Sequence, residues 1–327
     1  MLGHLLRRLA STLLLVLLVS SAAFVLTRLA PGDSAQVTGG FGASREQIAR
    51  ERALAGLDRP LLVQWASWIG GIARFDLGPS TLYQQPAGPL VASRAGHTAI
   101  LALASLLLAL LLGIPPAFLS ATRPRSFLAH AIRASSLVLL SIPPFIGSLA
   151  LVLLAVRTGW FPAGGMTSAP DLAGLAYMRD VAWHLPLPVL ALALPLAATF
   201  ERLQAQALGE ALRHPAVQAA RARGIPPARV LVHHAWRLSL KPVAAVAGLA
   251  CGALLSGSFV VEMVTSWPGL GRLTFDALLH RDMNLVAGCA AAGTLLLGLG
   301  LLAADAVIAW ADPRITSPGV STEGRAA

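Results

Sequence analysis

At 327 residues, with hydrophobic side chains making up 56% of the chain, charged ones 12% and a mean hydropathy of +0.69, this sequence has about half the charged fraction of a soluble domain. That balance excludes a soluble enzyme and places the chain among polytopic membrane proteins. The formal charge of +10 sits beside apolar segments without interleaved aromatic residues, a distribution suited to anionic lipid and not to nucleic acid.

Six windows free of Asp, Glu, Lys and Arg are predicted to cross a bilayer as helices: residues 9–27, 98–122, 134–156, 181–200, 242–261 and 285–304. Each approaches or exceeds the roughly 20 residues that span a hydrocarbon core of about 30 Å. The first could be read as a cleaved signal peptide, because His4, Arg7 and Arg8 precede it. Its length and the poor cleavage site at Thr27-Arg28-Leu29-Ala30-Pro31 favour an uncleaved anchor. Arg7 and Arg8, then Arg123, Arg125 and Arg133, then seven cations against two acids between Glu201 and Lys241, all fall on one side of the six spans. The opposite loops are nearly balanced, with Arg272 and Arg281 against Glu262, Asp276 and Asp282. The positive-inside rule therefore predicts that both termini are cytoplasmic.

After an N-terminal helix over residues 1–30, the segment 31–96 reads as a small surface subdomain outside the membrane. A helix over residues 44–54 is expected, capped by Ser44 with Gln47 three residues on, and ended by Gly56-Leu57-Asp58-Arg59-Pro60. An amphipathic piece over residues 61–75 follows, with Trp65 and Trp68 expected at headgroup level.

Residues 97–310 hold the remaining five spans. Pro115-Pro116, Pro143-Pro144, Pro186, Pro188 and Pro195 each remove a backbone donor, so their helices are predicted to bend or break. Each kink alone can serve packing; together they favour a bundle with a pathway. Gly113, Gly147, Gly248, Gly252, Gly257, Gly288, Gly293 and Gly298 permit close helix contacts. The spans show no interior carboxylate, which argues against ion-coupled transport. No glycine-rich stretch leads into Gly-Lys-Ser or Gly-Lys-Thr, so any nucleotide site belongs to another chain. Cys251 and Cys289 lack metal or redox spacing and read as packing residues.

The most informative segment is the loop 201–241, above all Glu210 to Pro242: basic, rich in small residues, and hinged at Gly224-Ile225-Pro226-Pro227. Pro215 starts a short helix whose face Val217, Ala220 and Gly224 is narrow enough for a partner to approach closely. Gly224 stops that helix, and Pro226-Pro227 starts the next, on which Leu231, Ala235 and Leu238 form one stripe while Arg229, His233 and Arg237 point elsewhere. His233 and His234, with only His214 nearby, read as surface groups in preference to metal ligands. Glu210 and the arginines are either solvated surface groups or a docking face.

With these residues in view the chain resembles the binding-protein-dependent ABC transporter permeases of the dipeptide, oligopeptide and nickel class, of the DppB/OppB subunit type, along nearly its whole length. The family's cytoplasmic signature is matched by Ala220-Arg221-Ala222-Arg223-Gly224 and by His234-Ala235-Trp236-Arg237-Leu238-Ser239-Leu240-Lys241-Pro242, with Glu210 at the upstream acidic position. Leu238 stands where Asn is usual and Ala216 where Tyr or Phe is usual. Further matches are Gly56 to Pro60 with Trp68 and Asp76-Leu77-Gly78, although Phe75 replaces the usual Gly. His184-Leu185 with Leu187-Pro188, Val261-Glu262 with Trp267-Pro268-Gly269-Leu270-Gly271, Arg281-Asp282, and Asp312-Pro313-Arg314-Ile315 complete them.

The resemblance implies a six-helix, all-α type I ABC importer permease fold in a bacterial plasma membrane, with residues 311–327 as a cytoplasmic tail. It implies a second homologous permease subunit, two ATPase subunits or domains carrying ATP and Mg, an extracytoplasmic solute-binding protein, and a peptide as substrate. No cofactor and no catalytic residue is expected in this chain. Glu210, Ala220, Arg221, Arg223, Gly224, His234, Arg237 and Pro242 would couple it to the ATPase. Glu262, Trp267, Pro268, Gly269 and Asp282 would gate the outer mouth, meet the binding protein, or stabilise their own loop. Nickel chelates, glutathione or another small solute are the alternative cargoes; a secondary transporter, an inert scaffold and a membrane enzyme are the alternative classes.

Overall fold

In the computed structural model, residues 2–29, 46, 49–50, 53, 58–74 and 76–311 are described. Of the expected helix over 44–54, residues 46, 49, 50 and 53 are helical, while its Ser44 cap and Gln47, Gly56 and Leu57, Phe75, and the tail with Asp312 to Ile315 lie outside the described residues.

Helix α1, Leu2–Leu29, is apolar around most of its circumference, and the hydroxyls of Ser11, Ser20 and Thr27 are satisfied within it, as where Thr27 donates to the Ala23 carbonyl at 2.8 Å. Helix α2, Leu61–Ile72, starts after Pro60 and lies against α1. Trp68 stacks on Phe24 with ring centroids 5.3 Å apart, and the Trp65 indole donates to Ser21 at 2.9 Å. The two tryptophans therefore fasten α2 to α1, a tighter use than the headgroup anchoring expected of them.

Helix α3, Ala87–Thr122, continues through Pro115 and Pro116, so of the bend or break predicted there the break does not occur. It is held along α7, where Gly113 presses so close that a Cβ there would meet the Ala197 carbonyl at 2.5 Å. Helix α4, Phe127–Ser141, is capped by Ser126, whose hydroxyl accepts from the Ala129 amide at 3.1 Å. Ile142 and Pro143 are extended, Pro144 opens α5, Pro144–Thr158, and the two axes differ by 99°. The span expected over 134–156 is thus a pair broken at Pro143-Pro144, the site of the predicted bend or break. Five helices are long and apolar enough to cross a membrane among the described residues, and six if this pair is counted as one.

Gly159, at φ +68°, ends α5, and the chain reaches α6, Gly174–His184. Asp180 on α6 accepts from the Ser168 amide and from its hydroxyl at 2.9 Å, so the intervening loop is tied at its middle. These bonds, the amide first, hold the Asp180 carboxyl below its ordinary range. A lowered value means the tie is complete above the usual carboxylate pKa of about 3.9 and is lost as pH falls through the lower folded value. Proteolysis within residues 159–173 is expected to accelerate only below about pH 4, and Asp180→Asn should remove that pH dependence.

Helix α7, Pro186–Arg213, keeps Pro186 and Pro188 in its first turn, passes Pro195 and continues well beyond Phe200. Residues 201–213 of the expected loop are therefore helix. Helix α8, Pro215–Ala222, is followed by a helical turn, Pro227–Arg229, a π-helical segment, Val230–Ala235, and α9, Trp236–Val264, which merge without a break. The separate second arm expected after Gly224 is thus the beginning of the next span. Helices α10, Leu270–Leu279, and α11, Met283–Ala311, complete the described chain.

The main core lies where α3, α7 and α9 meet, around Leu101, Leu192, Phe200, Leu254, Val261 and Trp267. Because α7 and α9 extend past their apolar windows, they carry Glu201 and Glu262 into the interior, at 3% and 0% exposure. That overturns the expectation that the spans hold no interior carboxylate. Helix α1 packs along α11, with Arg8 Nε 2.6 Å from Asp305 Oδ2 and Thr12 filling the space beside Gly298.

Candidate functional site

At one end of the bundle, α7 delivers the chain to a basic elbow. His214 caps α8 by accepting from the Ala216 amide at 3.2 Å, and Pro215 occupies the first turn. Helix α8 ends in two backbone bonds, Gly224 N to Arg221 O at 2.9 Å and Ile225 N to Ala220 O at 3.3 Å. This pairing requires a left-handed residue at Gly224, whose φ is +75°. Ile225 closes the turn by packing towards Ala220, and Pro226-Pro227 sets the exit direction.

A small core pins the elbow to the bundle: Leu208 and Ala211 of α7, Val217 and Ala220 of α8, and Val230 and Ala235 beyond the turn, with Phe118 of α3 against them. Phe118 also meets Trp236, their ring centroids 4.6 Å apart. Val217 and Ala220 are therefore turned into the chain's own core, not offered to a partner as their spacing suggested. What the elbow presents outward is Arg221, Arg223, Gly224, Arg229, His233 and Arg237, all exposed. Glu210 is exposed on the last turns of α7 and accepts from Gln206 at 3.2 Å. His234 is half-buried, and Pro242 lies inside α9.

The π-helical segment shifts the register after the elbow. Val230, Ala235 and Ser239 face inward and Leu238 is 37% exposed, so the expected stripe of Leu231, Ala235 and Leu238 is displaced. Ser239 accepts from the Gln204 amide at 2.8 Å, joining α9 to α7 just inside the elbow.

Two further hydrogen bonds at this end were not anticipated from sequence. The Glu201 carboxyl accepts from Ser120 of α3 at 2.7 Å and from Ser136 of α4 at 2.8 Å. Beside it lies a cavity of about 680 Å³ lined by residues of α3, α4 and α7, among them Arg133, Leu137, Thr199 and Arg202.

At the opposite end, the five residues assigned to an outer mouth fall into two fastenings. Glu262, fully buried on α9, accepts from Thr98 of α3 at 2.7 Å, from the Gly271 amide at 2.7 Å and from the Arg272 amide at 3.3 Å. Thr98 in turn accepts from the Leu270 amide at 2.8 Å. A Cβ on Gly269 would overlap the Glu262 carboxyl, and one on Gly271 would lie 2.5 Å from the Phe259 Cα. Glycine is required at both positions by close approach. Trp267, also fully buried, donates to the His97 carbonyl at 3.2 Å, while the Pro268 carbonyl receives Arg94 at 3.2 Å and lies 2.8 Å from His97 Nδ1.

Asp282 forms the second fastening. It accepts from the Ser80 hydroxyl at 2.7 Å, the Leu82 amide at 3.1 Å and the Leu285 amide at 3.2 Å, capping α11 while holding the 80–82 turn. The two fastenings bring Glu262, Trp267, Pro268 and Gly269 together and leave Asp282 separate. A groove of about 480 Å³ opens beside His97, Met166 and Tyr177 at the same end. Thr98 and Ser80 could not be singled out from sequence, because a lone hydroxyl within a helix or in a turn carries no local signature.

The chain matches, over residues 109–317, the family described as binding-protein-dependent transport system inner membrane component. Residues 1–82 match the N-terminal part of such membrane components. It is 33% identical over 319 residues to the oligopeptide transport system permease protein AppB of Bacillus subtilis (strain 168), covering 96% of this chain and 99% of that protein. A protein of Brucella suis biovar 1 (strain 1330), named as a peptide permease, is 34% identical over 324 residues, covering 96% of this chain and 99% of its own length. A peptide ABC transporter permease homologue, y4tP of Sinorhizobium fredii (strain NBRC 101917 / NGR234), is 31% identical over 313 residues, 95% of this chain and 98% of its own.

Proposed function

This chain belongs to the family of binding-protein-dependent transport system inner membrane components, and from that premise we propose that it is a permease subunit of an ATP-driven importer of di- and oligopeptides. Relatives named for peptide and oligopeptide transport support that cargo. Nucleotide hydrolysis falls to two separate ATPase subunits, a second permease subunit completes the pathway, and an extracytoplasmic binding protein delivers the peptide. Both termini and the elbow are cytoplasmic, and the fastenings around Glu262 and Asp282 lie at the outer mouth.

The observation that carries the reading is the elbow. Its turn is rigid, its back is buried against α3 and α7, and its front offers Arg221, Arg223, Arg229 and Arg237 around a glycine with nothing within 4 Å of where a Cβ would stand. A lever of this kind suits the cleft of a separate protein that closes on ATP, since its buried back passes the push to α7 and α9 and changes their tilt. The outer fastenings, their polar atoms already engaged within the chain, act as braces and gate elements more readily than as direct contacts for the binding protein.

The test is uptake of radiolabelled di- to pentapeptides by proteoliposomes holding this chain with its second permease subunit, ATPases and binding protein. Uptake is expected to need ATP, and a cysteine at position 223 should cross-link to the ATPase. Uptake that follows an ion gradient after ATP depletion, or that proceeds without the ATPase, would overturn the proposal. If the binding protein instead retains a nickel chelate or glutathione, the cargo assignment fails and the machinery stands.

A further inference from the structure

Resting on the importer reading above, we propose that Glu201 is a positioning residue that relays movement of the elbow to α4, its bond with Ser136 being the releasable joint of the pathway's inner mouth. Glu201 and the elbow share one rod. Helix α7 runs without a break from Glu201 to Arg213, a distance of about 18 Å at 1.5 Å per residue. A tilt imposed at the elbow therefore arrives at the carboxyl as a displacement.

Helix α4 is built to respond. Its buried residues are Ala129 and Ser136, while Phe127, Leu128, Leu137, Val138 and Leu140 are exposed, so it packs on α7 along one narrow face centred on these two. Beyond it the chain turns through 99° at Pro143-Pro144, which uncouples its direction from that of α5. Ser136 is the point at which α4 is bonded to α7, and α4 supplies Arg133, Leu137 and Leu140 to the wall of the 680 Å³ cavity. Moving α4 reshapes that mouth.

The joint has two satisfied states. In the one observed, both carboxyl oxygens are occupied by neutral hydroxyls, which grip less strongly than the forked bonds of an arginine pair. On release, Ser136 can donate to its own helix as Ser135 and Ser141 already do, to Ile132 O and Leu137 O, and Glu201 opens onto the cavity. Ser120 holds the other oxygen to α3, which packs along α7, so one bond stays while the other parts. An element with two discrete arrangements, both reachable without an orphaned polar group, is what a relay requires.

The experiment uses the complete importer in proteoliposomes, measuring peptide uptake and ATP hydrolysis together for Glu201→Ala, Glu201→Gln, Ser136→Ala, Ser120→Ala and the double variant Glu201→Ala/Ser136→Ala. Uptake per ATP is expected to fall about tenfold in Ser136→Ala and Glu201→Ala. The double variant should be no worse than either single one, Glu201→Gln should restore most of the loss, and Ser120→Ala should leave coupling largely intact. Spin labels at exposed positions 130 and 206 should report a longer distance with ATP trapped than without nucleotide in the wild type, and a single distance in Glu201→Ala. Uptake and hydrolysis falling in parallel, additive single effects, or a label distance indifferent to nucleotide would each overturn the relay. Failure of the wild-type complex to import any peptide with ATP would instead overturn the importer reading.

Discussion

Gly224→Val is expected to abolish peptide uptake while leaving the spans inserted. The residue sits at φ +75° with open space around it, so the penalty is conformational and not steric. A left-handed non-glycine residue costs about 1–2 kcal/mol, and a β-branched one more. The chain relieves that cost by giving up the two bonds that end α8, from Gly224 to Arg221 and from Ile225 to Ala220, and the direction set by Pro226-Pro227 is then lost. Asparagine, which tolerates left-handed geometry, should retain part of the activity. Uptake assays paired with protease protection and co-purification of the ATPase check this. Unchanged uptake in Gly224→Val would remove the elbow from the mechanism.

The second large effect is expected at Glu262. Alanine there leaves the Thr98 hydroxyl and the Gly271 and Arg272 amides without their acceptor in a fully buried site. A loss of the order of 3 kcal/mol follows from stranding such donors. The variant should unfold at lower temperature by fluorescence scanning in detergent and should import poorly, because α3 and the segment from Trp267 to Arg272 are no longer tied to α9. Gly269→Ala should be nearly as damaging in the native background, since its methyl group collides with the carboxyl. In the Glu262→Ala background the same change should cost little, because the obstacle has gone. Additive losses would show that Gly269 is required for some other reason.

What the sequence disclosed depended on how local each signal was. Charge-free windows located the spans because hydropathy is a property of the residues themselves, and the glycine-diproline elbow was legible because its turn is built from neighbours. Identical diproline pairs had opposite outcomes, however. Pro115-Pro116 is carried through a continuous helix held along α7, while Pro143-Pro144 divides two helices that are largely exposed. The deciding influence is a neighbouring helix that no local pattern reveals. Glu201 and Glu262 were assigned to loops because a charge marks the end of an apolar window, yet the helix needs only a hydroxyl or amide partner to carry a carboxyl inward. The π-helical segment was likewise hidden, since a 3.6-residue period assumes the register it alters.

The contact between α1 and α11 bears on how the protein is made. Helix α1 leaves the ribosome well before its principal partner α11, and Arg8 meets Asp305 only when 297 further positions have been added. At about 5–20 residues per second, that is an interval of roughly 15–60 s during which α1 waits in lipid. Its nearly uniform apolar surface lets it wait in lipid, while the arginine near its start stays without this carboxylate until α11 is made.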